Sequence, residues 1–331
     1  MTVKLEKLGV VGGGAWGTAM AQVIASDGSD VLLWAREPEV VAAVNDSHTN
    51  PIFLPILPLS ERIRATGALA DLASCDALVV VVPAQFVRSV LAELPPSDRP
   101  LVLCAKGIEA GTRQLMSEVA AEAAPASPIA VLSGPTFAHE VAVGRPTAIT
   151  LACADERVGL ALAERLRRPG FRPYLSQDVI GAEIGGAVKN VLAIACGVVE
   201  GAGLGQNARA ALISRGFAEM TRFGMARGAQ SETLAGLSGL GDLVLTCSST
   251  SSRNFSLGKG LGEGLPATEL LRDRRTVAEG AATAPVLAEA ARVCGVDMPI
   301  VDAVCALLAG QATVDDVVTA LLARPLKREG K

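Results

Sequence analysis

Histidine is almost missing from this chain of 331 residues: only His48 and His139 occur. That leaves little room for a histidine-based metal site, and no metal is expected. Aromatic residues make up 3% of the chain, and the net charge is −4. A protein with neither a basic footprint nor stacking side chains is a poor nucleic-acid binder. The seven cysteines are scattered singly without a C-x-x-C pair, so they read as small buried hydrophobes in a reducing compartment, the cytoplasm. No long apolar run is evident either. The stretch from Ala77 to Val87 is interrupted by Pro83 and falls short of the roughly 20 residues a bilayer requires, so no stable membrane insertion is expected. Met1 to Gly14 runs directly into a folded motif, which argues against a signal peptide.

What the chain has is alanine, valine and leucine spread along its whole length. Half of its residues are hydrophobic and only 19% are charged. That suffices for two domains with substantial cores. The apolar run Lys7–Val11 reads as a strand, Gly12-Gly-Gly-Ala-Trp-Gly17 follows at once, and Thr18–Ser26 has helical spacing. Strand, G-x-G-x-x-G and helix occur in the order a dinucleotide fold needs. Gly12 permits the tight turn, Gly14 lets the backbone approach a pyrophosphate, and Gly17 lets helix close on strand. Ala15 and Trp16 complete the turn, ahead of the helix whose N-terminal N–H groups are offered to the phosphates.

A second strand, Val31–Trp34, ends at Ala35-Arg36-Glu37. Where an NAD-preferring fold places an acid, Arg36 offers a planar cation to a 2′-phosphate, so NADPH is favoured over NADH. Further strands are expected at 77–82, 101–104, 129–132, 148–153 and 171–175. Lys106 and the Ser133-Gly134-Pro135-Thr136 turn follow two of them, at the carboxyl ends where ligands of open α/β sheets gather. The fold class is therefore α/β. A Rossmann-type, mostly parallel sheet with helices on both faces spans 1–178, and an all-helical domain spans 179–331. Helical spacing marks 179–199, 208–227, 281–294, 299–309 and 314–323.

Three features of the second half carry chemistry. Lys189 is the single charge in the run from Ile184 to Val199, so it either snorkels or is held where its ammonium acts. Asp242 lies in the glycine-flanked joint Ser238–Leu243, as a capping aspartate or a substrate ligand. The stretch Ser248–Asn254 is a surface loop or a phosphate clamp in which Ser252, Arg253 and Asn254 supply hydroxyl, guanidinium and amide.

Taken together, GGGAWGTA (12–19), FLP (53–55), AKGIE (105–109), SGPTFAHE (133–140), GGAVKNV (185–191), NARAALISRGFAEM (207–220), GLGDLVLTC (239–247), SRN (252–254) and TVAEG (276–280) resemble the bacterial-type NAD(P)-dependent glycerol-3-phosphate dehydrogenases over almost the whole chain. The resemblance implies that Lys189 is the catalytic acid/base, supported by Asp242. It implies substrate contacts at Lys106, Gly134, Thr136, Lys189, Asp242, Ser252, Arg253 and Asn254. Cofactor contacts are implied at Trp16, Arg36, Lys106, Ala138, Arg253, Val277 and Glu279. The implied reaction interconverts dihydroxyacetone phosphate and sn-glycerol 3-phosphate with NADPH or NADH, supplying phospholipid synthesis, and a homodimer is compatible with it. Phe255 stands where the family commonly has arginine, which bears on phosphate affinity. A 3-hydroxyacyl dehydrogenase would instead need a His-Glu pair, for which His139-Glu140, adjacent in sequence, is poorly arranged.

Overall fold

A computed structural model describes residues 5–55, 57–272 and 278–325. Its first half alternates strand and helix: β1 (Leu8–Val11), α1 (Ala15–Ala25), β2 (Val31–Trp34), α2 (Pro38–Ser47), β3 (Ile63–Thr66), β4 (Ala77–Val80), α3 (Val87–Glu93), β5 (Leu101–Leu103), α4 (Met116–Ala123), β6 (Ile129–Ser133), α5 (Ala138–Ala142), β7 (Thr147–Cys153), α6 (Glu156–Leu166) and β8 (Phe171–Ser176). The strands form one sheet in the order β3-β2-β1-β4-β5-β6-β7-β8. All pairings are parallel except β6–β7. The central strands β1 and β4 are buried on both faces, which is why they read as unbroken apolar runs. The sequence reading missed β3, a four-residue edge strand whose IRAT sequence carries no apolar run.

The order reverses between β1 and β4, so a crevice opens outside their carboxyl ends. Helix α1 starts at Ala15, three residues before its periodicity suggests, because Gly14 is its N-cap. Gly12 and Gly17 are sterically required there. A Cβ on Gly17 would lie 1.8 Å from the Gly12 carbonyl oxygen, and Gly12 itself has φ +127°.

The second half is helical: α7 (Val179–Gly201), α8 (Gln206–Ala226), α9 (Ser231–Leu234), α10 (Asp242–Thr246), α11 (Arg253–Gly262), α12 (Ala267–Leu270), α13 (Glu279–Val293), α14 (Pro299–Leu308) and α15 (Val314–Leu322). Asp178 caps α7 by accepting from the Gly181 N–H at 2.8 Å. Among the described residues α7 alone is long and apolar enough to cross a membrane, a longer apolar stretch than the interrupted run 77–87. It is instead the axis of the helical core. Gly197 and Gly258 bring α7 and α11 into backbone contact, since a Cβ at either would lie within 2.1 Å of a carbonyl oxygen on the other helix. The apolar composition of α7 thus reflects burial on all sides.

Five cysteines are buried and two, Cys294 and Cys305, are half-buried; all seven are free.

Two buried glutamates stitch helices together. Glu219 on α8 accepts from the Ile300 N–H at 2.9 Å, at the uncapped start of α14. Glu183 on α7 accepts from the Ser117 N–H at 2.8 Å, at the start of α4. Burial pushes each carboxyl from 4.5 up to about 7 against those donors. The folded protein therefore holds protons that the unfolded chain releases. The associated stability is full below about pH 4.5 and is lost as pH rises towards 7. Glu219→Gln is expected to flatten the fall of Tm between pH 5 and 7, and an unchanged slope in calorimetry would refute the assignment.

Candidate active site

The site lies where the carboxyl ends of β5 and β6 meet the helical domain. Lys106 follows β5 and is held over the sheet edge, its ammonium donating to the Gly134 carbonyl at 3.2 Å. Helix α7 comes down on the same edge, and a Cβ on Gly186 would touch both Ser133 Oγ and the Lys106 stem. Lys189, one turn further along, is 7% exposed. It does not snorkel. Its ammonium donates to Asp242 Oδ1 at 2.9 Å and to Thr246 Oγ1 at 2.8 Å. Asp242 is 0% exposed, and its other oxygen accepts from Lys106 at 2.6 Å. One buried carboxylate thus carries two lysines from different parts of the chain.

The segment before α10, Leu237–Gly241, is a widened helical turn rather than the open loop its glycines suggest. It delivers Asp242 to the first position of α10 with both oxygens bonded to lysines. The aspartate is therefore not the cap of α10, whose N-cap is Gly241, and its two oxygens bond the lysines instead. Thr246 was missed in the sequence reading. The readable signal was its place four residues after Asp242, which puts both on one helical face.

The charges are unequal, two ammoniums against one carboxylate. Burial lowers the Lys189 pKa from 10.5 to about 8, helped by the Lys106 charge and opposed by Asp242. Burial works to raise Asp242, but the two lysines outweigh it and hold its carboxyl below 3.8. Glu279, at the start of α13, is raised by burial although Arg253, Lys106 and Lys189 pull it down. The arrangement can therefore receive an anion, stabilise negative charge on a substrate oxygen and deliver a proton near neutral pH.

Other expected residues divide into groups. Gly134, Thr136 and Ala138 follow β6; the Gly134 carbonyl accepts from Lys106 and from the Thr136 hydroxyl at 3.2 Å each, and Ala138 packs against the cluster of Ala19, Leu54 and Ala142. Ser252 caps α11, accepting from the Phe255 N–H at 3.2 Å. Asn254 ties α7 to α13: its amide donates to Asn190 Oδ1 at 3.0 Å and its oxygen accepts from the Gly280 N–H at 2.9 Å. Arg253 is exposed at the first turn of α11. Phe255 is 2% exposed within the helical core, so it takes no place in a phosphate pocket. Val277 lies outside the described residues. His139 Nε2 and Glu140 Oε1 stand 3.9 Å apart with both side chains exposed, a poor catalytic pair.

At the switch point of the sheet Gly14, Ala15 and Trp16 are half-buried, while Gly12 and Gly17 are buried beneath them. A Cβ on Gly14 would meet nothing within 4 Å, so that side of the turn is open. The first turn of α1 has neither a side-chain cap nor an acidic residue. Unsatisfied N–H groups and a positive dipole end, free of competing carboxylate, fit a diphosphate. Arg36 stands at the end of β2, 74% exposed and 3.1 Å from Glu37, apart from the lysine cluster.

A nucleotide crevice on a Rossmann sheet, with a buried lysine from a helical domain beside it, defines an NAD(P)-dependent oxidoreductase. The models of the NAD-dependent glycerol-3-phosphate dehydrogenase N-terminus and C-terminus match residues 7–159 and 178–319, and the chain belongs to that family. Glycerol-3-phosphate dehydrogenase [NAD(P)+] 1 of Sphingopyxis alaskensis is 65% identical over 98% of this chain and 99% of its own. Glycerol-3-phosphate dehydrogenase [NAD(P)+] of Erythrobacter litoralis is 67% identical, covering 98% of each chain. The crystal structure of glycerol-3-phosphate dehydrogenase from Coxiella burnetii superimposes with a TM-score of 0.92 at 37% identity, over 97% of this chain and 100% of that one.

Proposed function

We propose that the Lys106–Asp242–Lys189 cluster is the catalytic centre for NAD(P)H-dependent interconversion of dihydroxyacetone phosphate and sn-glycerol 3-phosphate. The observation that carries this reading is the buried Lys189 ammonium, held by Asp242 at 2.9 Å beside a second lysine. Bound NAD(P)H supplies the hydride for the C2 carbonyl. Lys189 stabilises the oxygen on which charge develops and donates the proton. In the reverse direction its neutral amine accepts it. Asp242 and Thr246 keep the ammonium aimed, while Lys106 adds positive charge at the same face. Arg253, with Ser252 and Asn254 at the start of α11, grips the substrate phosphate, and such remote binding aligns the reacting carbon. Gly134 and Thr136 line the substrate side.

In this reading residues 1–178 hold the nucleotide and 179–331 hold substrate and acid. Trp16, Ala138, Glu279 and Val277 belong to the cofactor's surroundings. The product feeds phospholipid synthesis from a cytoplasmic enzyme, with a homodimer as a compatible assembly. The direct test is oxidation of NADPH on addition of dihydroxyacetone phosphate, with free dihydroxyacetone as the control. Equal turnover of the unphosphorylated ketone would remove the phosphate grip from the reading.

The same assay addresses cofactor choice. Arg36 is exposed enough to swing from Glu37 to a 2′-phosphate. Arg36→Ala is expected to raise KM for NADPH by about ten-fold, the worth of one charge-assisted hydrogen bond, and to leave KM for NADH nearly unchanged. Equal losses with both nucleotides would show that Arg36 contacts something they share.

A further inference from the structure

The loop after α2 contains the FLP segment singled out in the sequence, yet the catalytic reading gives it no role. It is closed by the Leu59 N–H donating to the His48 carbonyl at 2.7 Å. Inside it Leu54 packs with Ala19 of α1 and Ala142 of α5, flanked by Trp16, Leu57 and Ala138. Asn50, at the inner end of this apolar contact, is 0% exposed. A buried amide is costly unless its bonding groups are matched. Those of Asn50 are matched by the nucleotide loop: Nδ2 donates to the Gly13 carbonyl at 2.8 Å and to Thr18 Oγ1 at 2.8 Å. Its Oδ1 accepts from the Phe53 N–H at 3.2 Å.

We propose that Asn50 is a positioning residue that aims the Gly14 N–H at the cofactor diphosphate. The proposal rests on the reading of the glycine turn as the cofactor site. In a trans peptide the carbonyl of one residue and the N–H of the next point in opposite directions, and no described peptide here is cis. Asn50 holds the Gly13 carbonyl towards the protein interior, with the Thr18 hydroxyl as a second donor at 3.3 Å. The Gly14 N–H is thereby turned away from the interior, and Gly14 itself is only half-buried. Without this anchor the Gly13 carbonyl keeps only the longer bond from the Thr18 hydroxyl at 3.3 Å, and the peptide between the two glycines is held less firmly. Part of the diphosphate's binding would then go into ordering it.

A plain strut between loop and helix predicts a different outcome, so binding to three probes separates the two. The full-length Asn50→Ala protein is titrated calorimetrically with NADPH, with ADP-ribose and with adenosine 2′-monophosphate. The first two contain the diphosphate and the third does not. Both diphosphate probes are expected to weaken by about ten-fold or more, and adenosine 2′-monophosphate by less than about two-fold. Equal weakening of all three, or a lowered Tm with NADPH affinity unchanged, would overturn the proposal. If Asn50→Ala does not fold, Asn50→Leu preserves the volume, removes the donor and carries the same expectation. Failure of the wild-type protein to bind NADPH and ADP-ribose would overturn the cofactor reading itself, and the proposal with it.

Discussion

Lys189→Met is expected to lower kcat for ketone reduction by at least about 100-fold while the protein stays folded and binds NADPH. General acid catalysis contributes about 10² to 10⁴-fold, and the lost charge at the developing alkoxide adds to that. Methionine fills the space of the buried stem. Asp242 keeps its bond to Lys106 at 2.6 Å, so no unpaired carboxylate is left behind and the fold should tolerate the change. The unmodified enzyme supplies a second, independent readout. With the lysine at about 8, the protonated acid needed for reduction is depleted above that pH. Reductive kcat/KM should therefore decline above pH 8, while kcat/KM for oxidation, which needs the neutral amine, should rise through the same range. A folded Lys189→Met enzyme keeping more than about a tenth of wild-type kcat would exclude the acid/base role.

Asp242→Asn should damage both stability and activity. The substitution keeps the shape but leaves Lys106 and Lys189 facing each other without the carboxylate that both contact. Removing one partner of a buried ionic cluster typically costs about 3–5 kcal/mol, because the remaining charges are uncompensated. Lys189 should respond by giving up its proton more readily, so the decline of reductive kcat/KM should move below pH 8. A double variant, Lys189→Met with Asp242→Asn, leaves only the more accessible Lys106 charged. It should regain part of the lost stability, and denaturant unfolding of the four proteins gives the coupling directly. Strict additivity of the two changes would mean that the ion pair contributes nothing. An Asp242→Asn protein with wild-type stability and pH profile would show that the carboxylate does not organise the lysines.

Much of this molecule is local in origin and therefore readable from the sequence. The glycine turn after β1 is set by residues 12–17 alone, and the buried strands by runs such as Ala77–Val80. The cap of α7 needs only Asp178 and the three residues after it. Lys189 was conspicuous for a related reason, being one charge in an apolar helix whose every face is covered.

The tertiary structure decided what depended on distant partners. Asp242 lies 53 residues from Lys189 and 136 from Lys106, and no periodicity reports that all three converge. Its glycine-flanked joint gives no helical signal because the widened turn is sustained by packing rather than by propensity. Ser252 and Asn254 carried the side chains of a clamp in the sequence, but the fold also makes them a helix cap and an interhelical tie. Phe255, a candidate loss of phosphate charge in the sequence, points into the core. Asn50 gave no signal at all, since a lone asparagine in a loop reads as a turn former. A motif states which groups the backbone can present locally. Which of them share one low-dielectric space, and so shift each other's pKa or fix each other's direction, is settled only when helices from the far half of the chain close over the sheet.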